Sequence, residues 1–85
     1  MSFKIKWQPA ARDELTDLWL EATSDTRRKI TSSARDIELA LKHNPQNAGE
    51  SRPNDRRVLF AAPMAVLFEI DEDAAIVRIL KTWRF

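Results

Sequence analysis

Phe3, Ile5 and Trp7 alternate with Lys4 and Lys6, the period of two that gives a strand one buried face. Pro9 suits the first turn of a helix. Ala11, Leu15, Leu18, Trp19 and Ala22 then recur at three- and four-residue spacing between Arg12, Asp13, Asp17 and Glu21, which predicts an amphipathic helix. Ser24 and Asp25 are placed to cap a second helix with apolar positions Ile30, Ala34, Ile37 and Leu41, and "HNP" at 43–45 stops it. Residues 44–55 hold the only glycine, two prolines and three asparagines, the composition of a loop. Three strands follow as a meander: Arg57 to Ala61, the turn "AAPM", Ala65 to Asp71, the turn "DEDA", and Ala75 to Phe85.

A strand, two helices and three strands predict one α+β domain over residues 1–85. The expected sheet is antiparallel, of about four strands in the order β-α-α-β-β-β, with both helices on one face and the other face open. In the last strand, alternation places Val77 and Ile79 on one side with Trp83 and Phe85. Ile76, Arg78, Leu80, Thr82 and Arg84 fall on the open side. Phe3, Trp7, Trp19, Phe60 and Phe68 are expected in the core.

Composition narrows the chemistry. With 44% hydrophobic and 32% charged residues, the 85-residue chain can form a core. Without cysteine, disulfides, thiolate metal sites and thiol catalysis are excluded. His43, the lone histidine, is expected to cap the second helix, where its charge meets the negative end of the dipole. Neither a metal centre nor a cofactor is expected, since a zinc site needs several ligands at fixed spacing. No apolar run approaches the ~18 residues of a membrane span. The start "MSFKIKWQ" lacks the apolar centre of a signal peptide. A soluble, cytoplasmic protein without a membrane partner is expected.

Fourteen basic and thirteen acidic residues leave a net charge of +1, so an anionic partner requires charge to be segregated. The stretch "ESRPNDRRVLF", residues 50–60, carries Arg52, Arg56 and Arg57 in front of an apolar segment. It reads either as a phosphate- or target-binding site, or as a solvated strand entry whose arginines pair with the acidic turn "DEDA". The run "RRK" at 27–29 reads as a solvated first helical turn or as a partner site. Arg78 interrupts the apolar run "AIVRIL", so its guanidinium either reaches solvent across apolar surface or meets an anion. Arg84 is expected on the same face. Trp83 and Phe85, near the chain end, are candidate partner anchors.

The order of elements, together with "KIKWQPAARDEL", "VLFEID" and "AIVRILKTWR", resembles the RelE/ParE superfamily of toxins from bacterial type II toxin–antitoxin pairs. The resemblance implies a cognate antitoxin as partner, in a hetero-oligomer or with the toxin as a homodimer. It also implies a target, either ribosome-bound mRNA cut by the RelE-like branch or DNA gyrase poisoned by the ParE-like branch. Cleavage needs a base for the 2′-hydroxyl, cations for the phosphorane and an acid for the leaving oxygen. This chain has no tyrosine, and where relatives commonly read Tyr-Arg-Val-Leu-Tyr it reads "MAVLF". Arg57, Arg78, Lys81 and Arg84 are the catalytic candidates that remain, with Lys81 a base if desolvated. The ParE-like branch commonly carries Ile-Leu-Arg-Val-Leu-His, and "IVRILK" at 76–81 is similar to it. Gyrase poisoning requires a surface and no base, so the resemblance favours a ParE-like inhibitor. A RelE-like endoribonuclease and an inert antitoxin-binding homologue are the alternatives.

Overall fold

Alternation after the long loop does produce a meander, but with one strand more than the pattern predicts. The computed structural model describes residues 2–85. Over them the chain forms β1 (Lys4–Trp7), α1 (Pro9–Glu21), α2 (Ser24–His43), a single 3-10 turn (Pro45–Asn47), β2 (Glu50–Arg52), β3 (Arg56–Ala61), β4 (Met64–Asp71) and β5 (Ile76–Arg84). The α+β class and the two helices on one sheet face are as expected. The five-stranded sheet has the order β1-β5-β4-β3-β2. β2 to β5 are antiparallel to one another, whereas β1 lies parallel to β5. The sheet is therefore mixed, not antiparallel throughout. Period-two alternation specifies which side of a strand is buried; it carries no information on partner or direction.

The helices enclose a single core with one side of the sheet. Ile30, Ile37 and Leu41 of α2 meet Phe3, Met64, Val66, Phe68, Val77 and Ile79, all at most 6% exposed. Each fully buried side chain of this size contributes on the order of 1.5–3 kcal/mol. The N-cap of α2 lies one residue before the expected Ser24: it is Thr23, whose hydroxyl accepts the Thr26 N–H at 3.3 Å. Trp7 is half-buried and donates its indole N–H to Glu38 at 2.7 Å. Among the described residues, no helix is long and apolar enough to cross a membrane.

β2 arises inside the expected loop because residues 50–52 fold back on the start of β3, pairing Glu50 with Val58 and Arg52 with Arg56. Asn54 and Asp55 make the turn with φ of 66° and 58°, a conformation that Asn and Asp tolerate better than most residues. Gly49 enters this hairpin at φ +68°, and a Cβ there would stand 2.1 Å from the carbonyl oxygen of Val58. Both backbone conformation and space therefore demand glycine. Gly49→Ala is expected to destabilise the protein by more than about 1 kcal/mol, read as a lower urea midpoint. Glu50→Ala, one residue along, should stay within about 0.5 kcal/mol of the parent.

Candidate functional site

Cross-strand partners share a face, so the register defines what the helix-free side of the sheet presents. One row runs Lys6, Arg78, Glu69, Arg56 across β1, β5, β4 and β3. The row of Trp83, Ala65 and Phe60 crosses the other end of the face. Between them lie Lys81, Leu67 and Val58. The face thus has a charged half and an apolar half.

The division follows from an irregularity in β5. Phe68 pairs with Ile79 but Leu67 pairs with Lys81, leaving Leu80 as an extra residue. Such a bulge reverses the alternation beyond it. Thr82 consequently turns inward, 3% exposed, and donates its hydroxyl to the Ala65 carbonyl at 2.9 Å. Trp83 pairs with Ala65 and stands on the open face. Arg84 pairs with the buried Met64 and belongs to the helix side. Both placements reverse the expectation from unbroken alternation. Phe60, expected in the core, is 45% exposed and meets Phe85, 62% exposed, edge to face at a centroid distance of 5.3 Å. Trp83, Phe60 and Phe85 therefore form an aromatic patch on the open face, with Ala65 fully buried between Trp83 and Phe60.

The cations expected to act together are dispersed. Arg57 pairs with Phe68, on the helix side. Its guanidinium donates to the carbonyls of Ala48 and Gly49, at 2.9 and 3.0 Å, and to the Ser51 hydroxyl at 2.9 Å. It therefore clamps the β2 hairpin and does not join Arg78. Arg78 faces Asp71 at 3.5 Å and lines a pocket with Asn54, Asp55, Glu69, Asp71, Glu72 and Asp73. The acidic turn thus sits against Arg78, which leaves unsupported the alternative in which it pairs with Arg56 and Arg57. An incoming phosphate would meet five carboxylates and one guanidinium there. Arg56 is exposed opposite Glu69, and Arg52 lies 3.8 Å from Glu50 on the edge strand. Lys81 is exposed, so the desolvation that would make it a base is missing. His43 ends α2, as expected.

Two contacts have no signal in the sequence. Arg27 donates to the carbonyls of Trp19 and Leu20, at 2.8 and 3.0 Å, and stacks 4.3 Å from the Trp19 ring centroid. It completes the carbonyl end of α1, so "RRK" is in part a helix–helix joint. Trp19 remains 41% exposed beside an interhelical groove lined by Leu15, Ile30 and Ala34. The second contact is between Glu14 and the Thr82 N–H, at 3.2 Å. Glu14 lies among the polar positions of an amphipathic helix, and its spacing carries no sign of this role.

No protein-family model matches the chain, and no curated protein is significantly similar to it. Solved structures are similar in fold. A toxin–antitoxin complex, RelBE2 of Mycobacterium tuberculosis, superposes with a TM-score of 0.80 at 16% identity, covering 100% of this chain and 93% of that one. The chromosomal ParDE toxin–antitoxin system of P. aeruginosa gives 0.75 at 19% identity, covering 98% and 96%. The isolated E. coli RelE toxin gives 0.66 at 12% identity, covering 98% and 84%. The fold is that of the RelE/ParE toxins.

Arg57→Ala is expected to cost about 1–3 kcal/mol of stability in urea unfolding, because two backbone carbonyls lose a charged donor. Arg52→Ala and Arg56→Ala, with exposed side chains, should change it by less than about 0.5 kcal/mol.

Proposed function

We propose that this protein is the toxin of a type II toxin–antitoxin pair, neutralised by a cognate antitoxin, and that it acts as a ParE-like inhibitor by occupying DNA gyrase. The fold likeness supports the toxin class, and two of the similar structures are of toxin–antitoxin systems. The content of the open face supports the mode of action. Its apolar half is an aromatic patch of Trp83, Phe60 and Phe85. Exposed aromatics that bury large area at little entropic cost are typical anchors of protein interfaces. Message cleavage would need a base, an acid and converging cations. Arg57 and Arg84 are on the other side, Arg78 is beside carboxylates, and Lys81 is the cation next to the patch. In this reading Trp83 and Phe85 contact the target, Lys81 flanks them, and Arg78, Arg56 and Arg52 lie at the charged end of the face.

The antitoxin is assigned to the groove between α1 and α2, where exposed Trp19 adjoins Leu15, Ile30 and Ala34. An amphipathic segment with spaced apolar anchors fits such a groove. Co-expression with the product of the adjacent gene should give co-elution, and Trp19→Ala should weaken it. Size-exclusion of the toxin alone and of the co-eluting pair then distinguishes a homodimer from a toxin–antitoxin hetero-oligomer.

Gyrase supercoiling in the presence of purified protein tests the target. Inhibition is expected, and Trp83→Ala should raise the inhibitory concentration by roughly tenfold or more. Arg78→Ala should have a smaller effect, because neighbouring carboxylates already offset its charge. Ribosomes programmed with message should yield no new RNA ends. Codon-positioned cuts that disappear in Lys81→Ala would instead make the protein a RelE-like endoribonuclease with Lys81 as base. Loss of every effect except antitoxin binding would identify an inert homologue.

A further inference from the structure

Positive charge near the start of a helix opposes its dipole, yet Arg27 lies there, its own N–H closing the first turn of α2 on the Thr23 carbonyl at 2.8 Å. Its guanidinium leaves α2 and reaches the carbonyl end of α1, where a cation is favoured. Nε donates to the Trp19 carbonyl at 2.8 Å and Nη2 to the Leu20 carbonyl at 3.0 Å. Bonds from two different nitrogens fix the plane of the group, and its central carbon lies 4.3 Å from the Trp19 ring centroid. That indole stands between two depressions on the helical side of the molecule. Leu15, Ile30 and Ala34 line one, Arg28 and Ser32 the other, and Thr31 borders both. A tryptophan on a helix can take a χ1 of about 180° or about −60°. Trp19 is 41% exposed, so burial alone does not choose between them, whereas the fixed guanidinium stacks on one conformer only.

We propose that Arg27 is a positioning residue for the groove between α1 and α2: anchored on two carbonyls of α1, it holds the Trp19 indole in the conformer that walls the groove, so that the antitoxin's amphipathic segment meets a preformed site. Ordering a large side chain at the moment of binding lowers affinity, and a ring already held avoids that loss. The planar group is what matters, because a lysine ammonium can bond a carbonyl but offers the ring no plane to stack on. The functional meaning rests on the assignment of the antitoxin to this groove. The fixing of the ring does not.

NMR of the labelled, full-length chain reads the ring, and titration with the purified product of the adjacent gene reads the groove. In the parent, the χ1 couplings of Trp19 should be those of a single rotamer. In Arg27→Ala, and in Arg27→Lys, which keeps the charge, they should average, and affinity for the adjacent gene product should fall roughly three- to tenfold. In a Trp19→Ala background Arg27→Lys should change that affinity by less than about twofold, since a residue acting through the indole has no further effect once the indole is gone. Single-rotamer couplings retained in Arg27→Lys overturn the proposal. So does an equal loss of affinity with and without Trp19, the mark of direct contact or of a damaged fold. If Arg27→Ala fails to fold, Arg27→Lys alone decides. A partner that binds Trp19→Ala as tightly as the parent removes the antitoxin from the groove, and the couplings then decide the role of Arg27 by themselves.

Discussion

The neighbours of β5 change along its length, and the arrangement of the molecule follows from how that change is accommodated. On one flank it is paired with β4 from Ile76 to Arg84, and on the other with β1 only from Ile76 to Ile79. A strand that loses a sheet partner exposes backbone donors and acceptors that must be bonded elsewhere when they are not in water. Here α1 packs along the second half of β5, and its Glu14 carboxylate takes the Thr82 N–H. The extra residue, Leu80, lies between these two regimes.

That single insertion sets the chemistry of both faces. Before it, Val77 and Ile79 complete the core between sheet and helices, with Arg78 outside. After it, a threonine lies inside and a tryptophan outside. The small Thr82 suits the inward position because its hydroxyl can bond the Ala65 carbonyl and its methyl is apolar; burying an unpartnered hydroxyl would be unfavourable. Had alternation continued, Lys81 would point toward the helices, and burying its ammonium would cost far more.

The same backbone requirements disperse the arginines. Arg57 satisfies carbonyls at the tight entry to β2, where Gly49 passes close to Val58. Arg27 does so at the end of α1. Arg78 lies beside the acidic turn joining β4 to β5. With its cations so placed, a protein of net charge +1 presents a face better suited to aromatic contact than to gripping a polyanion.

Several features were legible in the sequence because they depend on neighbours within a few residues. The helical periodicities of residues 9–22 and 24–41, the stop at His43-Asn44-Pro45, and the turns around Pro63 and Asp71 to Ala74 all place elements correctly in order. The core positions Phe3, Ile30, Ile37, Leu41, Phe68, Val77 and Ile79 were legible for the same reason: short-range period and side-chain polarity determine which side of an element is buried. Tertiary structure alone decided the rest. That β1 runs parallel to β5, that Leu80 is bulged, that Trp83 and Phe60 face outward and Arg84 does not, and that Arg57 turns to the β2 hairpin all depend on long-range partners. Thr82 meets Glu14 across 68 positions of the chain. A hydrogen bond between groups so far apart in sequence has no local period, and a one-residue shift in register changes the face of every side chain beyond it.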